Sequence, residues 1–439
     1  MGRKKKNNAL VGLEIELFTL DTAGKVASSA DKILMNTLND PYLKQECSTN
    51  MLEVVSSPNE MVPDSLSHLL SELDVILDAA DKNNLLLLPL GCYPGSFEPT
   101  MRKNRKYAIQ ESIFGKEKFK IAGRCAGFHT HYTLPHGIFD EQLRMLKLIA
   151  HAKIKDNLVN SYNLAIAMDP CLTTFMQSSP YYQGVHIGKD SRMIMYRGGA
   201  DLKSPDGMYA DLHEFGGLPH YKQTTLDIME AVSGRFEQWK SLLLSAGINL
   251  KVLALYQSVL SLNWSPVKVN PHGTLEQRGM DMNHLEYVAA TSVLLKFMFK
   301  KFQEEHFIVK PSEIGIKEPF KLENNTIYIP PYNYVKSVLE PASAYEGLES
   351  SEIHMYCKRL VMLAENFTPR DKRILLRPLK KMVRERKTVS DMILKYVRKK
   401  GYSTTEPLPN HISKEIALDH AEKFRTSVDK MKRLVESRF

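Results

Sequence analysis

The chain has 439 residues, 43% of them hydrophobic and 25% charged, the make-up of a globular protein and not of a disordered or fibrous one. A chain of this length can bury a sizeable core without disulfides or structural metals. The formal charge of +9 is uneven: from Arg370 onward roughly twenty Lys and Arg stand against about nine acids, so the basicity belongs to the tail.

Residues 1–10 read as a basic, flexible N-terminus containing Arg3, Lys4, Lys5 and Lys6. The residues that follow include Asn7, Asn8, Glu14 and Glu16, so this is no apolar signal segment. Val11–Leu17 alternates strictly. Its apolar residues at 11, 13, 15 and 17 share one face of a strand, and Glu14 and Glu16 share the other. In Met51–Val55, Glu53 is opposed to Leu52 and Val54 in the same way.

Leu66–Ala80 has helical spacing, and Leu85–Leu90, the longest apolar run, is too short to cross a bilayer. Phe128–Tyr132 puts His129 and His131 on one strand face. Asp140–Leu164 reads as a long amphipathic helix with Asp140 as its N-cap. Lys222–Ala246 and Asn283–Phe307 read as further helices, and Thr274–Arg278 as a strand presenting Glu276 and Arg278 together. Residues 315–345, with Pro319, Pro330, Pro331 and Pro341, read as mostly loop and short extended pieces. From Ser351 the chain turns helical, and Pro407 and Pro409 divide the tail into a pair of helical units.

Strands and helices do not alternate in a regular βα rhythm, so the fold class is α+β around a curved, largely antiparallel sheet flanked by helices. The domain organisation is a catalytic domain over 11–350 and a basic helical region over 351–439 packed on it. The five cysteines, Cys47, Cys92, Cys125, Cys171 and Cys357, form no CxxC pair, which excludes a zinc ribbon or secreted disulfide scaffold. The expected location is the cytoplasm, without a membrane partner.

Outward-facing acids on a half-solvated sheet are commonplace. Acids on three strands, joined by a His and an Arg, are not. If those strands are neighbours, the face is a negative bowl suited to Mg²⁺, which prefers oxygen ligands and bridges carboxylates to phosphates. Arg278 could then hold a γ-phosphate through its planar fork of donors. There is no GxxxxGK[ST] segment, so the phosphates would be held without a Walker-type loop.

Five segments in order carry a resemblance: Gly12–Leu17, Leu52–Pro58, Gly127–His131, Ser178-Ser179-Pro180 with Ser191-Arg192, and Gly273–Arg278. This series resembles the glutamate–cysteine ligase and carboxylate–amine ligase family. The resemblance implies a glutamine-synthetase-like half-barrel that holds ATP and several Mg²⁺ ions, with Mn²⁺ as an alternative ion. By similarity, Glu14, Glu53 and Glu46 would hold one metal, and Glu16, His129 and Glu276 another. Arg278 and Arg192 would contact phosphate. His131 reads as a substrate- or nucleotide-binding residue, as a support for a ligand, or as a residue that merely packs. The family pattern has a valine where Thr130 stands and Asn-Ser-Pro-Phe-Trp where Ser178–Tyr182 stands. Lys317–Glu349 has no counterpart in that series.

The implied reaction is activation of a carboxylate, foremost the γ-carboxylate of glutamate, as an acyl phosphate, then amide formation with an amine, foremost cysteine. The alternatives are a ligase for a different acid and amine, a guanidino phosphotransferase, and a non-catalytic nucleotide- or RNA-binding protein. Nucleic acid is disfavoured as a partner because the tail lacks interleaved stacking aromatics. A homodimer is left open. Arg192 and Arg197 have an alternative reading as surface residues, and Arg102 and Arg105 as residues of a solvated loop. Cys125 and Met193–Met195 read as packing.

Overall fold

The computed structural model describes residues 9–37 and 40–438. The N-terminus expected over 1–10 therefore lies outside the described residues except for Ala9 and Leu10.

Seven strands form the main sheet: β1 (Val11–Asp21), β2 (Leu43–Gln45), β3 (Met51–Val55), β4 (Leu85–Leu88), β5 (Gly127–Thr133), β10 (Val267–Asn270) and β11 (Thr274–Asp281). Two short hairpins intervene, β6–β7 (Phe139–Asp140 and Met145–Leu146) and β8–β9 (Tyr181–Tyr182 and Val185–His186). The order is β10-β11-β5-β1-β3-β2, and every pairing is antiparallel. β1 is the hub: its first half pairs with β5 and its far end with β4, while β3 runs along its other edge. A register shift between Gln277 and Met280 puts a bulge in β11, a feature that bends a strand locally. The sheet stays open, with β10 and β2 at its edges.

The alternation in β1 buries Val11, Leu13, Ile15 and Leu17 at 0–1% exposure. Each such side chain contributes roughly 1.5–3 kcal/mol on leaving water. Helices Val62–Lys82, Ala152–Met176 and Leu285–Glu305 pack against β1, β11 and β5, and helix Asn410–Arg438 packs against β4 and Val62–Lys82. One apolar cluster runs from Val11 to Val435, so the basic tail shares the core of the sheet. Its helices turn Ile412, Ile416, Phe424 and Val428 inward and carry their charge outward.

Three expectations are corrected. Asp140 does not cap a long helix: its carboxylate accepts from the N–H groups of Gln142 and Leu143 inside the β6–β7 turn, where Arg144 has a φ of +49°. The helix begins only at Ala152, capped by the His151 ring, and runs on to Met176.

The short extended pieces expected over 315–345 are present, but helical turns take much of what was expected as loop. β12 (Ile308–Pro311), β13 (Lys321–Glu323) and β14 (Thr326–Ile329) form a small sheet, and helical turns follow from Tyr332 to Glu346. Pro331 precedes the first of these turns, and Pro341 follows a wider π-turn at Val335–Leu339, so the missing N–H groups cost little.

The tail from Ser351 holds four helices, Ser351–Phe367, Arg377–Glu385, Val389–Lys399 and Asn410–Arg438, and not a pair. One added break follows Pro369. The other is Arg386, at φ +51°, ahead of a Thr388–Asp391 capping box.

Candidate active site

The strand register assembles the polar face. Glu16 stands opposite Glu53, Glu14 opposite His129, Glu276 opposite His131, and Lys268 opposite Glu276. Residues more than 250 positions apart thereby share one face of five adjacent strands.

On the β1–β3 side the donor atoms of Glu14, Glu53 and His129 lie within 4.8 Å of one another, and so do those of Glu16, Glu46 and Glu53. Glu53 belongs to both groups. This differs from the expected partition, in which Glu46 joined Glu14 while His129 and Glu276 joined Glu16. The antiparallel register sets His129 across from Glu14. Glu276 enters neither group, because Lys268, Arg278 and Asn270 take its two oxygens.

Burial, then the Glu14 charge, pushes Glu53 up to about 7, although Lys44 at 3.1 Å opposes the rise. Burial and the charges of Glu16 and Glu53 hold Glu46 well above the usual carboxylate range. Burial would raise Glu14 too, but His131 at 3.1 Å and His129 at 3.3 Å hold it well below that range. Crowded carboxylates that resist ionisation call for a cation. His129 Nε2 is buried without a hydrogen-bond partner, 3.7 Å from Glu16 Oε1. An oxygen-rich set with one imidazole fits a hard divalent ion such as Mg²⁺ or Mn²⁺.

His131 bridges the two sides of the bowl, with Nδ1 2.9 Å from the Thr274 hydroxyl and Nε2 facing Glu14. Glu16 is fixed by the backbone N–H of Gly127, which donates to its Oε2. Arg102 takes a supporting place: its Nε donates to the Glu46 carbonyl, and its guanidinium pairs with Asp31 at 2.8 Å.

The β10–β11 side is cationic. Arg278 reaches Glu276 at 3.0 Å and Lys268 reaches it at 3.2 Å. Burial draws the Lys268 ammonium down to about 8 against the pull of Glu276. Sequence reasoning missed Lys268 and Asn270. The signal was present in Val267-Lys268-Val269-Asn270, where period-two alternation puts both polar residues on the bowl face.

Arg192 lies on the helix Ser191–Arg197, stacked over Tyr196 at 5.1 Å and donating to the Arg278 carbonyl at 3.2 Å. Neither Arg192 nor Arg197 is a surface residue, at 6% and 2% exposure. Arg197 instead forms a buried network with Asp169 and Glu340. The Ser178-Ser179 segment is a clamp: the Ser178 N–H and the Ser179 hydroxyl both donate to Asp281 at the end of β11. Gly127 gives Arg192 room where it crosses the strand, since a Cβ there would lie 2.4 Å from its guanidinium, the movable end of a long side chain.

Helix Arg105–Phe114 brings two further residues to the site. Its Lys106 is held below the usual lysine range by burial and the Arg278 charge, and its Tyr107 is raised by burial and the Glu46 charge. Arg105 itself is exposed. Cys125 is buried against Cys92, its Sγ 3.7 Å away, and Met193 is buried as expected. Beyond His131, the strand ends open on a cavity of about 1150 Å³ lined by Thr133, Phe139, Arg144, His272 and Gly273.

The model of glutamate-cysteine ligase family 2 matches residues 10–402, which takes in every strand of the bowl. The chain belongs to this family. Two curated relatives, candidate glutamate–cysteine ligases 2 of Clavibacter michiganensis subsp. michiganensis and Clavibacter sepedonicus, are 24% and 32% identical over 241 and 242 residues. Each match covers 50% of this chain and 57% of the relative, so little more than half of the relatives' length is spanned.

Among solved structures, the glutamate–cysteine ligase of Francisella tularensis, in complex with AMP, aligns over 99% of this chain and 93% of its own at a TM-score of 0.58 and 15% identity. The bifunctional glutathione synthetase of Pasteurella multocida aligns over 95% of this chain and 52% of its own, at 0.57 and 12%. These two share the family's α+β fold with a largely antiparallel open sheet. No helix among the described residues is long and apolar enough to cross a membrane.

Proposed function

We propose that this chain is an ATP- and Mg²⁺-dependent carboxylate–amine ligase, with glutamate and cysteine as the leading substrate pair. The observation that carries the reading is the polarity of one sheet face: the acidic groups around Glu53 on one side, and Lys268, Arg278 and Arg192 on the other. Membership of glutamate-cysteine ligase family 2 supports it.

Divalent cations bound there would neutralise the triphosphate and orient it. Glu14, Glu53 and His129 would hold one cation, and Glu16, Glu46 and Glu53 another. Arg278 and Arg192 offer fixed positive charge to oxygens of the phosphoryl group as it leaves ADP for the substrate carboxylate. The amine then displaces phosphate from the acyl phosphate, forming the amide. Buried strands position these groups, and no covalent nucleophile is needed. The cavity beyond His131 offers room for a substrate. All five cysteines are free thiols, which fits a reducing compartment such as the cytoplasm.

The test is ADP release from Mg·ATP with glutamate present and each amino acid offered as the amine. ADP formed only with cysteine supports the leading pair. ADP with another pair keeps the ligase chemistry and changes the substrate. ADP formed together with a phosphorylated guanidino compound would make the protein a phosphotransferase. A folded protein that releases no ADP with any of these overturns the reading.

A further inference from the structure

Lys268 is 6% exposed, and its ammonium reaches one carboxylate, that of Glu276. That carboxylate is already paired with Arg278 and accepts from the Asn270 amide. One acid thus serves the buried Lys268 and the partly buried Arg278. Close by, Arg192 is buried with its Nε lacking a partner, and among the described residues no carboxylate oxygen lies within 4.0 Å of its guanidinium. Desolvating a cation costs several kcal/mol unless a nearby anion offsets it.

The acids across the bowl offset this excess only while they carry no metal. Once divalent cations take those carboxylates, Lys268 and Arg278 share Glu276, while Arg192 is left with the more distant charges of Asp190 and Asp281. The missing counter-charge then has to come from an anion bearing several charges. An ammonium suits a phosphoryl group, since it is a compact point charge with three rotatable donors, whereas a planar carboxylate is better matched by arginine.

We propose that Lys268 is a third cation for the terminal phosphoryl group of the nucleotide, held by Glu276 until the triphosphate arrives. This rests on the ligase reading above. Lys268 then donates to a γ-phosphate oxygen, so it contributes to binding of the triphosphate and not of the diphosphate.

The test compares dissociation constants of the Mg²⁺ complexes of β,γ-imido-ATP and of ADP for wild type, K268M, K268Q and K268R. Expected is a loss of tenfold or more for the imido triphosphate in K268M and K268Q, a change within twofold for ADP, and recovery of most of the triphosphate affinity in K268R. Equal losses for both nucleotides would overturn the proposal and leave Lys268 as a residue that only positions Glu276. Unchanged affinity for both would also overturn it. A wild-type protein that binds neither nucleotide would overturn the ligase reading itself.

Should the variants fail to fold, the wild type can be treated with a pyridoxal-tagged adenosine polyphosphate, reduced with borohydride and mapped by mass spectrometry. Labelling of Lys268 that Mg·ATP prevents is the expected result. Labelling of Lys106 alone would overturn the proposal.

Discussion

Glu16 and Glu53 face each other directly across the β1–β3 ladder, and Glu53 also lies beside Glu14. Like charges opposed on neighbouring strands destabilise a sheet. Glu53→Gln should therefore raise Tm by roughly 1–3 °C in metal-free buffer, while losing the rise that Mg²⁺ gives the wild type. Differential scanning fluorimetry with and without Mg²⁺ measures both. A variant that keeps the Mg²⁺ shift would remove Glu53 from the metal set.

Glu276 is 1% exposed and is the carboxylate that Lys268 and Arg278 share. Glu276→Gln keeps the shape but leaves the buried Lys268 and the partly buried Arg278 without their acid, a loss worth about 3–5 kcal/mol where a buried pair is broken. Turnover should vanish and the urea midpoint should fall. Normal ADP release in this variant would place the chemistry elsewhere.

Gly127 lets the Arg192 guanidinium lie against β5, and the obstructing group in Gly127→Ala would be the end of a long side chain. That end can move, so the fold should survive within about 1 kcal/mol while kcat falls at least tenfold. Loss of stability without loss of kcat would mean that Arg192 is only structural.

Arg197 makes a two-pronged pair with Asp169, at 2.6 and 3.0 Å, and also reaches Glu340, whose other oxygen pairs with Lys336. Arg197→Met strands the buried Asp169, leaves Glu340 to Lys336 alone, and should cost about 3–5 kcal/mol in urea unfolding. Because Arg197 shares a helix with Arg192, nucleotide binding should weaken as well.

His284 and His420 meet at 2.9 Å between the Leu285–Glu305 helix start and the C-terminal helix. Burial, then the Lys423 charge, lowers His284 to about 4, against the opposing charge of Asp419, and burial with the His284 charge holds His420 well below its usual range. Lys381 and Lys430 also line this cleft, with Glu286 and Glu422 facing them. The unfolded chain protonates both rings near pH 6.5 and the folded chain does not. Their contribution to stability is therefore complete above about pH 6.5 and is lost as pH falls toward 4. Tm should drop by roughly 3–6 °C across that window, and His420→Phe should flatten the slope.

The sequence by itself determined which residues face the site. Alternation at Glu14 and Glu16, at His129 and His131, and at Glu276 and Arg278 is a local property of each strand, and a one-residue change of register would move the whole set to the core face. The helices over 62–82, 225–245 and 285–305 were legible for the same reason, since their apolar period is local. Asp140 was misread because a side chain that caps a helix can equally close a turn, and only the hairpin partner decides.

The tertiary structure alone brought the acids together. Glu46, one residue past β2, comes near Glu16, and His129 on β5 comes near Glu14, across 30 and 115 residues of chain. It also set Lys268 beside Glu276, which follows from the pairing of β10 with β11, whereas the Glu276–Arg278 pair is local to β11. The physical reason is that charge acts through distance in space, and a sheet sets that distance only after its strands have found their neighbours.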